Sequence, residues 1–228
     1  MSSGGPAVRR EWWFTQLTLF VGAWMLIAPA LEDRWVMHLL LQVLLLNAVL
    51  MTLKVNPEWR LARGITIGLW LMALAGSLIA FAPVPHDWER LARGAETMSL
   101  LPLLALLAAG ILRFVYRSRR LTVDGIFATI VAYVIVAIIF SRLYLLLIAA
   151  NPASFSLPVA ATERTPHLLQ VDLLYYSLVT QCSVGYGDIL PVSDAARMLA
   201  VIQAVVGQFY MAVVVAIFVG MYATQRRD

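Results

Sequence analysis

SVGYGD, Ser183 to Asp188, is the stretch on which the reading of this chain turns. Two glycines flank a tyrosine and a carboxylate follows, a pattern that suits neither a regular helix nor a regular strand. Gly185 and Gly187 permit backbone angles that other residues resist, so successive carbonyls can point the same way instead of alternating. The stretch interrupts an apolar chain, in which hydrophobic residues make up 61% of 228 and charged residues 13%. Soluble domains carry about a quarter charged residues, so this is the composition of an integral membrane protein. Non-helical backbone at membrane depth persists only where it is buried in protein or lines a watery cavity. SVGYGD therefore has to line something.

The apolar run Leu168 to Cys182 leads into the motif, too short to cross about 30 Å of hydrocarbon but suited to a re-entrant helix. Six runs are long enough to span: Trp12 to Leu31, Val36 to Leu53, Gly64 to Ala82, Met98 to Tyr116, Val123 to Ala150 and Ala195 to Tyr222. The expected fold is all-α, six transmembrane helices plus a re-entrant helix and loop. Asn56-Pro57, Pro83-Val84-Pro85 and Asn151-Pro152 break the apolar periodicity where loops are needed. Asn151 to His167, rich in Pro, Ser and Ala, reads as an irregular outer segment.

The positive charges orient these spans. With six crossings, Arg9 and Arg10, then Lys54, Arg60 and Arg63, then Arg113, Arg117, Arg119 and Arg120, and finally Arg226 and Arg227 fall on one side. Glu32, Asp33, Asp87, Glu89, Glu163 and Asp188 fall on the other. Both termini are expected to be cytoplasmic, with SVGYGD facing out. The net charge of +4 thus reads as topology rather than nucleic-acid binding. Arg9, Arg10 and Ala28-Pro29-Ala30 imitate a secretory signal, but the apolar stretch is long for one and reads as a retained span. The single cysteine, Cys182, excludes a disulfide within the chain. All but one of the basic residues are arginine, which points to a bacterial inner membrane.

A column of inward carbonyls can replace the hydration shell of a cation. One loop supplies one oxygen per layer, and four copies around an axis supply square layers, so the chemistry asks for a homotetramer. Here the residues resemble potassium channels, whose filter reads TVGYG with an acidic residue often following. SVGYGD departs in its first residue. Serine keeps the hydroxyl but lacks the methyl that stiffens threonine, so selectivity survives while the innermost site loosens. The resemblance covers about the last hundred residues, and ILPVSDAARMLAVIQAVVGQFYMAVVVAIFVG is similar to compact bacterial channels.

The spans and charges divide the chain into a cytoplasmic N-terminus at 1–11, a four-helix membrane domain at 12–118 and a pore domain at 119–228. The pore domain comprises an outer helix 123–150, a turret 151–167, a pore helix 168–182, a filter 183–188 and an inner helix 195–222. The resemblance further implies a selectivity filter binding K+ through Ser183, Val184, Gly185, Tyr186 and Gly187, with the ions held at Ser183 to Tyr186. Asp188, Tyr175, Tyr176 and Cys182 are implied as filter support, the tyrosines as an aromatic pair cuffing the filter. Gly207, twenty-one residues beyond Tyr186, matches the family's gating-hinge glycine and is expected to act as the hinge; close helix packing is the alternative. No cofactor is implied beyond K+ as transported ion, and the partners are K+, membrane lipids and further copies of the chain, with no nucleic acid.

Other features weigh less. Arg142 lies about 27 Å along the fifth span from Asp124 at about 1.5 Å per residue, near the outer interface. It is expected to snorkel, or to brace the pore by pairing with Asp172, Asp188 or Glu163. His38, Gln42 and Asn47 suit interhelical hydrogen bonds. His86 and His167 fall in loops without the clustered ligands zinc requires, and Cys182 reads as packing rather than a metal or redox site. Met98 to Leu112 contains no arginine, whereas a voltage sensor needs charges through the bilayer. Weak or absent voltage gating is expected. Only ATQRRD follows Tyr222, so any stimulus is expected to act through the membrane domain, lipid or another subunit. The function implied is passive, potassium-selective conduction. Alternatives are a nonselective cation channel, opposed by Tyr186, and a transporter subunit or non-conducting sensor. An enzyme is not expected, since no span pairs a nucleophile with a base.

Overall fold

The computed structural model describes residues 13–27, 34–55, 58, 60–81, 86–118, 122–157 and 166–225. Among them are α1 (Trp13–Ile27), α2 (Arg34–Val55), α3 (Arg60–Phe81), α4 (His86–Arg117), α5 (Val123–Ala150), α6 (Pro166–Gln181) and α7 (Asp194–Gln225). A 3₁₀ turn, Pro152–Ser154, and two short strands, β1 (Phe155–Ser156) and β2 (Leu190–Pro191), complete the described fold. Arg9, Arg10, Ala28-Pro29-Ala30, Glu32, Asp33, Pro83-Val84-Pro85, Arg119, Arg120, Glu163, Arg226 and Arg227 lie outside the described residues. So do the side chains of His38, His86 and His167.

Among the described residues, four stretches are long and apolar enough to cross a membrane: Leu61–Ile79, Gly94–Arg117, Val123–Ala150 and Asp194–Gln225. Phe14–Met25 and Leu41–Lys54 are shorter apolar helices. The described helices α1 and α2 run 15 and 22 residues, about 23 and 33 Å at about 1.5 Å per residue. α4 starts at His86 rather than Met98. The intervening Glu, Arg, Leu and Ala are good helix formers that a hydropathy reading does not register.

α5 has the expected bounds because both ends are written locally. The Thr122 side chain accepts a 3.0 Å bond from Gly125 N at its start, and Asp124 complements the positive end of the helix dipole. Asn151 and Pro152 then stop it. Pro166 is tolerated in the first turn of α6, where no backbone donor is needed.

Two apolar cores organise the elements. Phe14, Leu17, Leu45, Val49, Leu103, Leu107, Val131 and Ile135 pack α1, α2 and α4 onto α5. Phe140, Tyr144, Phe155, Leu173, Tyr176 and Ile189 form the second, between α5, α6 and the strands. Within it Tyr144, Phe155 and Tyr176 make a triangle of edge-on rings with centroids 5.1 to 5.4 Å apart. β1 pairs antiparallel with β2 through Phe155↔Pro191 and Ser156↔Leu190. Val192 N adds a 2.8 Å bond to Ser154 O. The first part of the expected irregular outer segment is thus tied to the chain just after the motif.

Two polar links bring helix ends to a common face. Asp124 Oδ1 accepts from Phe14 N at 2.9 Å and Thr15 N at 3.1 Å, capping the start of α1 with a side chain from the start of α5. Arg117 and Arg113, ending α4, donate to Glu58 between α2 and α3 at 2.8 and 3.3 Å. The Arg117 guanidinium, with Arg113 behind it, holds the Glu58 carboxyl below its ordinary range.

Candidate functional site

α6 ends by unwinding into the motif. Cys182 N still bonds Leu178 O at 2.9 Å, Ser183 N reaches Thr180 O at 3.0 Å, and Val184 N reaches back to Val179 O at 2.9 Å. Beyond that, every second residue is left-handed: Ser183 at φ 57°, Gly185 at 62° and Gly187 at 80°. Such alternation lets successive peptide carbonyls turn toward one side. Ser183 carries the conformation without being glycine, which disfavours a β-branched residue there. Serine at this position, where the resemblance implies threonine, thereby acquires a backbone reason. The partial negative charge at the C-terminal end of α6 points at the same loop.

The motif is exposed along one side of the single chain, with Tyr186 71% accessible and Val184 53%. Its other side is braced by groups the sequence reading did not single out. Gln208 Nε2 of α7 donates to Ser183 Oγ at 2.7 Å. Tyr133 of α5 donates through its hydroxyl to Gln181 O at 3.0 Å and lies 3.6 Å from Cys182 Sγ. Gln181 Nε2 returns a 2.8 Å bond to Tyr133 O.

Behind this sits a fully buried polar network. Tyr144 donates to Gln203 Oε1 at 2.6 Å. Gln203 Nε2 lies 2.6 Å from Ser177 Oγ, 3.0 Å from Ser177 O and 3.2 Å from Gln181 Oε1. Ser177 Oγ donates to Ala137 O at 2.7 Å. One amide of α7 thus ties the outer helix to the last turn of α6. Gln203 and Gln208 are amides inside an apolar span, and that was the available signal, since polar residues at membrane depth are functional candidates.

The two tyrosines expected to cuff the filter separate. Tyr175 stacks on Tyr186 with ring centroids 6.4 Å apart and planes 2° from parallel, and the Asp188 carboxylate stands close enough to act on its hydroxyl. Tyr176, about 100° further around the helix, turns instead into the aromatic triangle with Tyr144 and Phe155. Cys182 is a free thiol on the exposed side. Gly207 is buried, and a Cβ there would overlap the carbonyl oxygen of Gln181. Its immediate role is close packing of α7 against the end of α6, and α7 runs unbroken through it.

Arg142 does not snorkel. It is 8% exposed and donates to Gln170 Oε1 of α6 at 3.3 Å. It therefore links α5 to α6 through an amide, and the carboxylate whose field reaches it is Glu96. Among the described residues, no three His, Cys, Asp or Glu side chains stand together as a metal site.

Comparison with known proteins falls on the same part of the chain. A family profile described as "Ion channel" matches residues 128–224, from α5 through α7. "Protein LctB" of Bacillus caldotenax is 33% identical over 102 residues, 44% of this chain and 75% of that protein. "Two pore potassium channel b" of Oryza sativa subsp. japonica is 42% identical over 57 residues, 25% of this chain but 16% of that protein. "Two pore potassium channel c" of the same plant is 34% identical over 59 residues, 26% of this chain and 12% of that protein. No solved structure matches.

Proposed function

Because this chain belongs to the ion channel family, we propose that it is one subunit of a homotetrameric, potassium-selective channel that conducts passively across the membrane. The observation that carries the reading is the alternation of left-handed residues at Ser183, Gly185 and Gly187. In four copies the carbonyls of Ser183, Val184, Gly185 and Tyr186, with the Ser183 hydroxyl innermost, form square oxygen layers that replace the water around K+. Ions then pass in file by mutual repulsion, with no covalent step. Like its family, the chain is a conductor and not an enzyme.

Assembly is supported by α7. This 32-residue helix buries only Ala196, Gln203 and Gly207 in its own chain, while Met198, Val201, Val205, Phe209 and Val213 stand about half or more exposed. A stripe that narrow leaves most of an apolar helix to neighbouring copies and lipid. Six crossings with cytoplasmic termini are supported by the Glu58 and Asp124 links, which gather the start of α1, the α2–α3 connection and the α4–α5 connection on one face. Gly207 is retained as a candidate hinge. Weak voltage dependence is supported by Arg113 and Arg117, which engage Glu58 at the end of α4 instead of lining its length.

Purified protein in liposomes should pass K+ and Rb+ but not Na+, with block by Ba2+, and should run as four copies by native mass spectrometry. Comparable Na+ flux would end the selective reading, and a stable dimer would end the fourfold one.

A further inference from the structure

A cavity of about 260 Å³ lies between α1, α2, α5 and α6. One end is polar, where Arg142 and Ser141 of α5 meet Gln170 of α6; Trp24, Leu41, Ile138, Leu174 and Leu178 line the remainder. We propose that this cavity binds a single-chain anionic amphiphile, a long-chain fatty acid drawn from the outer leaflet. Its carboxylate sits on Arg142 and its tail runs down beside α6 toward the membrane midplane.

Charge supports the head group. Arg142 presents five donors from a side chain 8% exposed, and the bond it makes, 3.3 Å to the neutral Gln170 amide, is long for a charge-assisted contact. The ion pairs of the described residues do not include it, and Glu96 of α4 acts on it through its field rather than by a hydrogen bond. A carboxylate entering the cavity would supply the bidentate acceptor that guanidinium geometry favours.

Depth supports the orientation. α5 and α6 run antiparallel, with Arg142 bonded to Gln170, Ala137 to Ser177 and Tyr133 to Gln181. Ile138 is one turn below Arg142, and Leu174 and Leu178 are one and two turns below Gln170. With the orientation proposed above, the polar end faces the outer surface and the apolar end points inward, as in an outer-leaflet amphiphile. Volume limits the occupant to one chain: at about 30 Å³ for each methylene-sized unit the space encloses roughly nine, the carboxyl end of a long-chain acid, whose remaining methylenes lie against lipid. Tyr175 borders the cavity and stacks on Tyr186, so an occupant presses on the ring that backs the motif.

Trp24 on the cavity wall supplies the readout. The full chain is reconstituted in phosphatidylcholine vesicles and titrated with a palmitate brominated along its tail, a fluorescence quencher, and with the equally brominated alcohol. Trp24→Phe identifies the quenched component. The acid should quench that component saturably; the alcohol, and the acid acting on Arg142→Gln, should bind at least about tenfold more weakly, the scale of a lost charged hydrogen bond. Leu174→Phe fills the cavity without touching the cation and should abolish saturable quenching, so the proposal stays exposed if Arg142→Gln fails to assemble. Equal quenching by acid and alcohol, unchanged binding to Arg142→Gln or to Leu174→Phe, or no component assignable to Trp24 because a neighbouring subunit or bilayer lipid fills the space, overturns it. Because the readout is binding and not flux, it stands apart from the outcome of the K+ selectivity measurement.

Discussion

A methyl group at position 207 meets the carbonyl oxygen of Gln181 and lies 2.9 Å from its Cγ, so α7 or the end of α6 would have to move. Since α6 ends at Gln181, the displacement is delivered to the motif itself. Gly207→Ala should therefore cost about 1–3 kcal/mol, the usual range for overpacking, read as a lower unfolding midpoint of the purified protein. Gly220→Ala is the matched control, because nothing lies within 4 Å of a Cβ there. If Gly207→Ala leaves the midpoint in place and alters only the open fraction, the hinge reading gains over packing. Ser183 carries a different constraint. A left-handed non-glycine residue costs about 1–2 kcal/mol, and it is held by Gln208 on one side and the Thr180 carbonyl on the other.

The junction of α5, α6 and α7 is where elements exchange polar contacts. Gln203 is wholly buried, and its amide nitrogen serves three acceptor atoms while its oxygen takes the Tyr144 hydroxyl. Gln203→Leu strands those partners at membrane depth, at about 1–3 kcal/mol for each group left unsatisfied. It should destabilise the chain more than Tyr144→Phe, which removes one donor and leaves Gln203 its amide bonds; scanning calorimetry on both variants gives the order, and the reverse order would mean that the network does not centre on Gln203. The end of α4 behaves differently because its pairs are exposed. Arg117, then Arg113, lower the Glu58 pKa below its ordinary 4.5. A group with a lowered folded pKa contributes stability above its unfolded value and loses it as pH falls through the folded one. The midpoint of the parent protein should thus fall more steeply below about pH 4.5 than that of Glu58→Gln, and added salt should shrink the difference, since exposed pairs are screened. Parallel pH curves for the two proteins would remove Glu58 from the account.

At the scale of the molecule, what was legible depended on how locally it was written. SVGYGD and the Asn151-Pro152 stop are short-range signals, and they marked the non-helical loop and the end of α5. The early start of α4 was hidden because amphipathic helix formers such as Glu89 and Arg90 resemble loop charges when hydropathy alone is read. Gln203 and Tyr144 stand 59 positions apart, so their partnership exists only once the helices pack. The Asp124 link is of this tertiary kind, and it decides how the two halves of the chain relate. Its carboxylate takes two backbone donors of α1, at 2.9 and 3.1 Å, and the Thr15 hydroxyl at 3.3 Å, so a residue opening the outer helix caps a peripheral one. Asp124→Ala should lower stability by about 0.5–2 kcal/mol, the range for a lost cap, measured by thermal unfolding. Asp124 stands near the start of α5, whereas the bonds from α5 to the end of α6 begin at Tyr133. The ratio of K+ to Na+ flux in liposomes should therefore stay at the parent value while the midpoint drops. If the ratio falls with the midpoint, α1 to α4 are part of what holds the filter rather than a scaffold around it.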